Sequence, residues 1–233
     1  MGTCLSIFFL MQQNVVSIPL YLLIFITYFG GYTYAEFQYQ PAFRKVMAVN
    51  AILGIVCIIL IFYHHHLDQL IRWGIIGFLG LLYNSKFLKK SIRKIPYVKI
   101  FYVGMTWGLM NAWLGQDQIS WPIFFINLIF ISSLILPFDI RDIEKDREHQ
   151  IVTFPNSFGI AKTKILAYFL FLVSSVLSIY FLEYRAAVSF VVANVVAIIL
   201  TYFSKFERDD FYFSFWVESC SGIPLLVYWL LTL

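Results

Sequence analysis

Charge is scarce in this sequence. Only 13% of its 233 residues are Asp, Glu, Lys or Arg, and 61% are hydrophobic, whereas soluble domains carry roughly 25% charged residues. Such a chain cannot cover a water-facing surface, so the composition excludes a soluble globular domain and predicts an integral membrane protein. The net charge of +4 does not indicate nucleic-acid binding, because the bases lie between apolar runs rather than on a polar face.

Cysteine is also rare, and its placement predicts no metal site. Cys4, Cys57 and Cys220 all lie in apolar stretches without metal-ligand spacing, as expected of inert helix residues. The N-terminus lacks the basic lead and the small-residue cleavage site of a signal peptide. No low-complexity linker divides the chain, so we expect residues 1–233 to form a single transmembrane domain.

Long apolar runs dominate what is present. They are continuously apolar rather than alternating, which favours helices over a membrane β-barrel, and a helix needs about 20 such residues to span a bilayer. We expect an all-α bundle of eight full transmembrane helices plus a partial ninth at the N-terminus, residues 1–11. The eight expected spans are 15–35, 46–63, 70–84, 98–115, 119–138, 163–182, 186–204 and 211–232.

The bases are concentrated in alternate connections. Of the 17 Lys and Arg residues, 15 lie in 36–45, 85–99, 139–164 and 205–210. Because cytoplasmic connections are enriched in Lys and Arg, we expect these four to face the cytoplasm. The prediction is a multi-pass protein of the cell (inner) membrane.

One cytoplasmic connection carries an unusual density of charge. The stretch "FDIRDIEKDREHQ", residues 138–150, has eight charged residues among the ten from Asp139 to Glu148. If the helix continued through it, Asp139, Asp142 and Asp146 would lie within roughly 60° of one face. Three carboxylates there would repel one another unless a cation lay between them. Hard oxygen ligands suit Mg²⁺, whose remaining sites take water and substrate phosphate.

A solvated helix cap is the alternative, in which Arg141, Lys145 and Arg147 neutralise the acids at helical spacing. Two features favour the Mg²⁺–phosphate interpretation. The bases at 86–94 lie on the same side and offer counter-charge for phosphate oxygens. Asp139 directly follows the apolar run "LILPF", where an ionisable group is costly.

The same residues resemble a known family. The stretch "LPFDIRDIEKDREHQIVTFPNSFGIAKTK", residues 136–164, is similar to the second aspartate motif of the UbiA superfamily of membrane prenyltransferases, and "LLYNSKFLKKSIRKIPYVKIFYVGMTW", residues 81–107, looks like an earlier segment of that family. The resemblance covers about residues 70–165. The positions that carry it are Asp139, Asp142, Asp146, Arg147, Thr153, Pro155 and Gly159, with Tyr83, Lys86 and Lys99 in the earlier segment.

This resemblance implies a nine-helix UbiA-like bundle with Mg²⁺ held around a prenyl diphosphate on the cytoplasmic side. Asp139, Asp142 and Asp146 would be the metal ligands and catalytic residues. Tyr83, Lys86, Lys99 and Arg147 would contact the substrate.

One family feature is missing. The first aspartate motif, NDxxDxxxD, belongs in the connection after the second helix, which reads "GGYTYAEFQYQPAFRK" and has Glu36 as its one acid. Glu36 is therefore the candidate substrate-binding acid on the wall of the site opposite the three aspartates.

Three functions remain open. The first is a prenyltransferase that moves a polyprenyl group from its diphosphate to a lipophilic or aromatic acceptor in the bilayer. The second is a catalytically degenerate relative that binds isoprenoid diphosphate or a partner protein without turnover. The third is a small transporter, which would use the mid-span polar residues Asn50, Asn111, Asn127 and Asn194.

Two further patterns do not change this choice. The acidic stretch lacks the DG and AR pairs of CDP-alcohol phosphotransferases. The tract His64–His66 lies on the opposite side of the membrane from the acidic stretch, as an interfacial segment.

Overall fold

The computed structural model describes residues 2–37, 40–64, 66–83 and 95–233, without the side chains of residues 35 and 36. Every regular element in these ranges is helical, which confirms the all-α prediction. In chain order the helices are α1 Gly2–Gln12, α2 Ile18–Phe37, α3 Phe43–Tyr63, α4 Leu67–Leu82, α5 Val98–Trp113, α6 Trp121–Arg141, α7 Ile143–Glu148, α8 Phe154–Phe158, α9 Ile160–Phe181, α10 Tyr184–Phe203 and α11 Ile223–Thr232, with a π-helical segment, Tyr212–Val217, between the last two.

Four of the described helices are long and apolar enough to cross a membrane: α3, α6, α9 and α10. They coincide with four of the predicted spans. Elsewhere α4 and α5 have 16 residues each, and the expected span 211–232 is divided between the π-helical segment and α11. An architecture of several apolar helices is thus confirmed, and the number of eight full spans stays a prediction.

Burial distinguishes the centre of the bundle from its rim. The most apolar window of α6 is 61% buried, whereas those of α3 and α9 are 17% and 22% buried. The outer faces of α3 and α9 leave large apolar side chains such as Ile59, Ile165 and Ile179 exposed. Apolar surface of this extent is stable in contact with lipid and not with water. Helix α6 is therefore the central element, and it is the one that leads into the acidic stretch.

The N-terminal helix α1 belongs to the core. Its 11 residues extend only about 16 Å, half the thickness of the bilayer core. Phe8 and Phe9 lie 6.2 and 5.6 Å from the Phe190 ring of α10. Oγ of Ser6 donates a hydrogen bond to Oδ1 of Asn111 at 2.6 Å. The predicted partial ninth helix is thus present, packed inside the bundle.

Close pairing of α5 with α6 positions the acidic stretch. Gly104 and Gly108 lie one turn apart on α5, and a Cβ added to Gly104 would lie 2.6 Å from both the carbonyl oxygen of Leu128 and Oγ of Ser132. Small residues at this spacing let two helix backbones approach closely. As a result, Oγ of Ser132 donates a hydrogen bond to the carbonyl oxygen of Ile100 at 3.1 Å, which holds the start of α5 beside the last turns of α6.

Helix α6 does not run through the acidic stretch as one helix. It ends at Arg141, Asp142 leaves the helical conformation with ψ near +14°, and α7 follows. At the end of α7, Gln150 is left-handed with φ 56°. The Ile151 amide donates to the carbonyl oxygen of Asp146 at 2.8 Å, as in a Schellman cap. The assumption of a continuous helix over 139–146 therefore does not hold at Asp142, where a turn intervenes.

Candidate active site

A buried ion cluster joins α5 to the acidic stretch. Nζ of Lys99 lies 2.5 Å from Oδ1 of Asp139 and 3.2 Å from Oδ2 of Asp146. The two carboxylate side chains are 1% and 0% exposed, and that of Lys99 is 12% exposed. Because buried charges are stable only when they are paired, Lys99 fixes the position of both aspartates. Together the three residues, called here the Lys99 cluster, tie α5 to the end of α6 and to α7.

The segment that follows α7 supports this cluster. The amide of Tyr97, in the left-handed conformation just before α5, donates to the carbonyl oxygen of Val152 at 3.2 Å. The Tyr97 ring stacks on Phe158 at 5.8 Å. Nδ2 of Asn156 donates to the carbonyl oxygen of Ile143 at 3.2 Å. The loop and α8 are thereby attached to both α5 and α7.

Asp142 has a different environment from the other two aspartates. Its carboxylate accepts hydrogen bonds from Nε and Nη2 of Arg141 at 2.9 and 3.0 Å. The Arg141 guanidinium also lies 3.8 Å from Asp210 and over the rings of Phe138 and Phe213. The side chain of Asp142 is 17% exposed. The turn at this residue thus separates it from the Lys99 cluster and directs it towards an open space.

That space is a cavity of about 560 Å³. Its charged end, called here the mouth, is lined by Arg141, Asp142, Lys145 and Asp210. The mouth holds two acids and two bases, so it can neutralise an anion directly or through a cation.

The rest of the cavity is largely apolar. One face of α6 supplies Ile131, Leu134 and Phe138, while Trp107 of α5 and Tyr32 of α2 contribute aromatic rings. Since α6 rises about 1.5 Å per residue, the wall from Phe138 down to Ile131 is roughly 10 Å deep. An amphipathic ligand with an anionic head and an apolar chain matches this arrangement.

The remaining residues predicted from the sequence lie around these two features. Arg147 is exposed and forms no ion pair with any described residue. Tyr83 is partly buried and stacks on Tyr102 with ring centroids 5.8 Å apart. Lys86 and the side chain of Glu36 lie outside the described residues.

The donor chemistry of the mouth suits Mg²⁺ bound together with a phosphate. Within the described ranges no group of three Asp, Glu, His or Cys side chains is arranged to hold a metal ion, because Asp139 and Asp146 face Lys99 and Asp142 faces the cavity. Mg²⁺, however, commonly binds through one or two carboxylates and completes its shell with water and substrate phosphate. Asp142 provides such a carboxylate, and Asp210 lies across the mouth.

Comparison with known families now decides what class of protein this is. The model of the UbiA prenyltransferase family matches residues 42–211, more than two thirds of the chain. The chain belongs to the UbiA prenyltransferase family. The match includes the Lys99 cluster and Asp142, and it begins after Glu36. No significant match is found among curated proteins or among solved structures.

Membership of the UbiA family makes this chain an integral membrane protein of a transferase class. The asparagines that motivated the transporter hypothesis have structural partners instead. Nδ2 of Asn111 donates to Oδ1 of Asn127 at 2.7 Å. Nδ2 of Asn50 donates to the carbonyl oxygen of Ile26, and Nδ2 of Asn194 donates to that of Phe190. The bonds of Asn111 and Asn50 join neighbouring helices and that of Asn194 stays within α10, so these amides do not indicate a transport path.

Sequence reasoning missed part of the cavity lining. Arg141 and Lys145 were considered only as partners of the acids, and Asp210 and Glu218 were not singled out. For Glu218 a signal was available, because it is the only acid in the apolar run 211–232 and ionisable residues inside membrane spans are functional candidates. For Asp210 no such signal exists, since it lies in an ordinary charged connection.

Proposed function

We propose that this UbiA family member transfers a prenyl group from a prenyl diphosphate to a lipophilic or aromatic acceptor. The observation that carries the proposal is the cavity beside the acidic stretch, which has a charged mouth and an apolar, aromatic interior. This polarity matches a prenyl diphosphate, whose anionic head and apolar chain need opposite surroundings. The family as a whole acts on such substrates with Mg²⁺.

The diphosphate is assigned to the mouth. Arg141 and Lys145 are the described bases there, and a guanidinium can donate two parallel hydrogen bonds to phosphate oxygens. Asp142 is the residue we propose to hold Mg²⁺ at the mouth. When bound, Mg²⁺ offsets the charge of the diphosphate and so stabilises it as a leaving group. Arg141 currently engages Asp142, so binding of substrate would exchange this ion pair for contacts to phosphate.

Asp139 and Asp146 are proposed to support Asp142 indirectly, by fixing its position. Their carboxylates are closed off by Lys99, so either one could ligate a metal only after Lys99 had moved. In the arrangement seen here they anchor α7 and the turn that presents Asp142. Lys86, Arg147, Tyr83 and Glu36 stay proposed substrate contacts on the strength of the family resemblance alone.

The prenyl chain is assigned to the interior. Loss of diphosphate leaves an allylic cation, which the faces of aromatic rings stabilise. Trp107, Tyr32 and Phe138 line the cavity below the mouth and could supply such faces. Preorganised groups of this kind act without reorganising during the reaction.

A binding-only relative is the second candidate, because the connection after α2 has no recognisable first aspartate motif. One experiment separates the two. Purified protein in detergent is titrated with labelled farnesyl or geranylgeranyl diphosphate with and without Mg²⁺, and transfer to a panel of aromatic acceptors is then measured. Transfer by the wild type supports the enzyme, and Mg²⁺-dependent binding without transfer supports the binding-only relative.

The variant for this experiment is Asp142→Asn, with Glu144→Gln on the exposed side of α7 as the matched control. We expect Asp142→Asn to weaken Mg²⁺-dependent binding at least about tenfold, the loss of one charged contact of roughly 1.4 kcal/mol. Glu144→Gln should bind like the wild type. Binding that is independent of Mg²⁺ and equal in both variants would refute the assignment of the mouth.

A further inference from the structure

A carboxylate lies deep in the apolar part of the cavity. Glu218 lines it together with Ser214 and Ser221 on the helical segment that follows Asp210. The opposite wall is formed by α6, and the two walls are in register because the rings of Phe138 and Phe213 lie 6.1 Å apart just below the mouth. Glu218 therefore lines the same cavity as Asp142, at a greater depth below the mouth.

The depth follows from helix geometry. Glu218 is eight residues beyond Asp210, and at about 1.5 Å per residue, somewhat less in the π-helical turn, it lies roughly 10 to 12 Å below the mouth. Eight residues back from Asp142 on α6 is Leu134, also a lining residue. Glu218 thus lies below the mouth, beside Ser214 and Ser221 in the cavity lining and within electrostatic reach of Arg141.

The Glu218 side chain is under the electrostatic influence of Arg141 but makes no polar contact with a described side chain. Its side chain is partly buried, and no side chain of residues 2–34, 37, 40–64, 66–83 or 95–233 forms an ion pair or hydrogen bond with its carboxylate. The hydrogen bond at this residue uses its backbone instead, since Oγ of Ser221 donates to the Glu218 carbonyl oxygen at 2.8 Å. An ionisable side chain at such depth is energetically costly, and its presence there therefore indicates a function.

We propose that Glu218 binds the acceptor through a hydroxyl group and takes up the proton that the acceptor releases. The inference rests on the proposed transfer reaction and specifies its second substrate. A carboxylate accepts a hydrogen bond from a hydroxyl and repels another carboxylate. The acceptor is therefore a hydroxyl-bearing aromatic molecule without an acidic group at the end that enters the cavity.

The bonds and the proton of the transfer reaction are all accounted for when Glu218 is the proton acceptor. The bond between the prenyl C1 and the diphosphate oxygen breaks, and the diphosphate leaves with the electron pair. A new bond forms between prenyl C1 and the acceptor, which loses one proton. That proton passes to the Glu218 carboxylate, and no oxidant or reductant is required.

The test uses three probes of one shape: 4-hexylphenol, 4-hexylanisole and 4-hexylbenzoate. Each is titrated by calorimetry into the detergent-solubilised full chain, with and without farnesyl thiodiphosphate and Mg²⁺. The variants are Glu218→Gln and Glu218→Asp, with Glu207→Gln in the exposed connection after α10 as the matched control. Melting temperatures establish that each variant is folded.

We expect the wild type and Glu207→Gln to bind the phenol about tenfold more tightly than the anisole, and the benzoate most weakly. In Glu218→Gln the preference for phenol should shrink several-fold and the benzoate should gain affinity. Binding of farnesyl thiodiphosphate should not change in this variant. In turnover assays Glu218→Gln should lower kcat for phenolic acceptors, and Glu218→Asp should recover part of it.

The outcomes distinguish the two proposals. If farnesyl thiodiphosphate does not bind to the wild type, the proposed transfer reaction fails, while the ratio of phenol to anisole affinity still tests Glu218. If the wild type binds the three probes equally, or if Glu218→Gln keeps the wild-type preference, the inference about Glu218 is overturned. A Glu218→Gln variant that does not fold is replaced by Glu218→Leu, which also removes the carboxylate and for which an unchanged preference for phenol over anisole would overturn the inference equally.

Discussion

Replacing Lys99 by Met should destabilise the protein strongly. Met fills a similar volume without charge, and it would leave Asp139 and Asp146, 1% and 0% exposed, without the ammonium group that both contact. Removing one partner of a buried ion pair costs about 3 to 5 kcal/mol. For a chain of this length 1 kcal/mol corresponds to roughly 2 to 4 °C, so we expect the melting temperature to fall by about 6 to 20 °C.

The measurement is thermal unfolding in one detergent, followed by the reactivity of buried cysteines. Lys162→Met is the matched control, because Lys162 is exposed near the start of α9 and an exposed charge contributes little. The triple variant Lys99→Met, Asp139→Asn, Asp146→Asn removes all three charges. It should recover at least half of the loss, because a neutral cluster does not need a counter-charge.

The reasoning would be refuted by a Lys99→Met variant that melts within 2 °C of wild type. It would also be refuted by a triple variant that is less stable than Lys99→Met. The first result would mean that the two aspartates do not need the ammonium group, and the second that their carboxylates stabilise the fold without it.

Three further predictions follow from local geometry and charge. Gly104→Ala should cost about 1 to 3 kcal/mol by overpacking, because its Cβ would lie 2.6 Å from the Leu128 carbonyl oxygen; Gly77→Ala, whose Cβ meets nothing within 4 Å, is the control in the same unfolding assay. Gln150→Gly should raise the melting temperature slightly, since it relieves about 1 kcal/mol of left-handed strain at φ 56°; a lower value would contradict the cap assignment. Reporters inserted after residue 148 should be cytoplasmic and reporters fused after Leu233 external, and the reverse pattern would contradict the charge-based topology.

The helices themselves could be predicted because they depend on apolar composition. The expected spans 46–63, 119–138, 163–182 and 186–204 correspond to α3, α6, α9 and α10 within a few residues. Where helices end could not be predicted as well. The expected span 119–138 stops at the first charge, whereas α6 continues to Arg141, because Asp139 is neutralised by Lys99. A hydropathy scale scores the charge of each residue alone and takes no account of the residue that neutralises it.

The spacing of the three aspartates led to the region where the Lys99 cluster and the cavity lie, and to an incomplete geometry. Helical periodicity assumes that residues 139–146 share one axis, and on that assumption all three carboxylates point the same way. Helix α6 ends at Arg141 and the backbone of Asp142 departs from helical geometry, so this assumption fails there, while α7 ends separately before the left-handed Gln150. The residue types at 142 and 150 do not predict these changes in the backbone, since Gly, and not Gln, is the usual residue at a left-handed position such as 150. The division between the Lys99 cluster and the mouth is therefore visible only in three dimensions.

The cavity lining includes acids besides Asp142, although the first aspartate motif is missing. In this chain the wall opposite Asp142 is built partly by the last helical segment, which brings Asp210 to the mouth and Glu218 into the interior. Mean hydropathy hardly changes with the one acid, Glu218, in the run 211–232, so only its charge inside an expected span could have singled it out, and Asp210 lies in an ordinary charged connection. That segment packs against α6 through Phe138 and Phe213, and both acids line the cavity that Asp142 also lines. Acidic groups thus face Asp142 from a part of the chain where periodicity and family spacing give no reason to look.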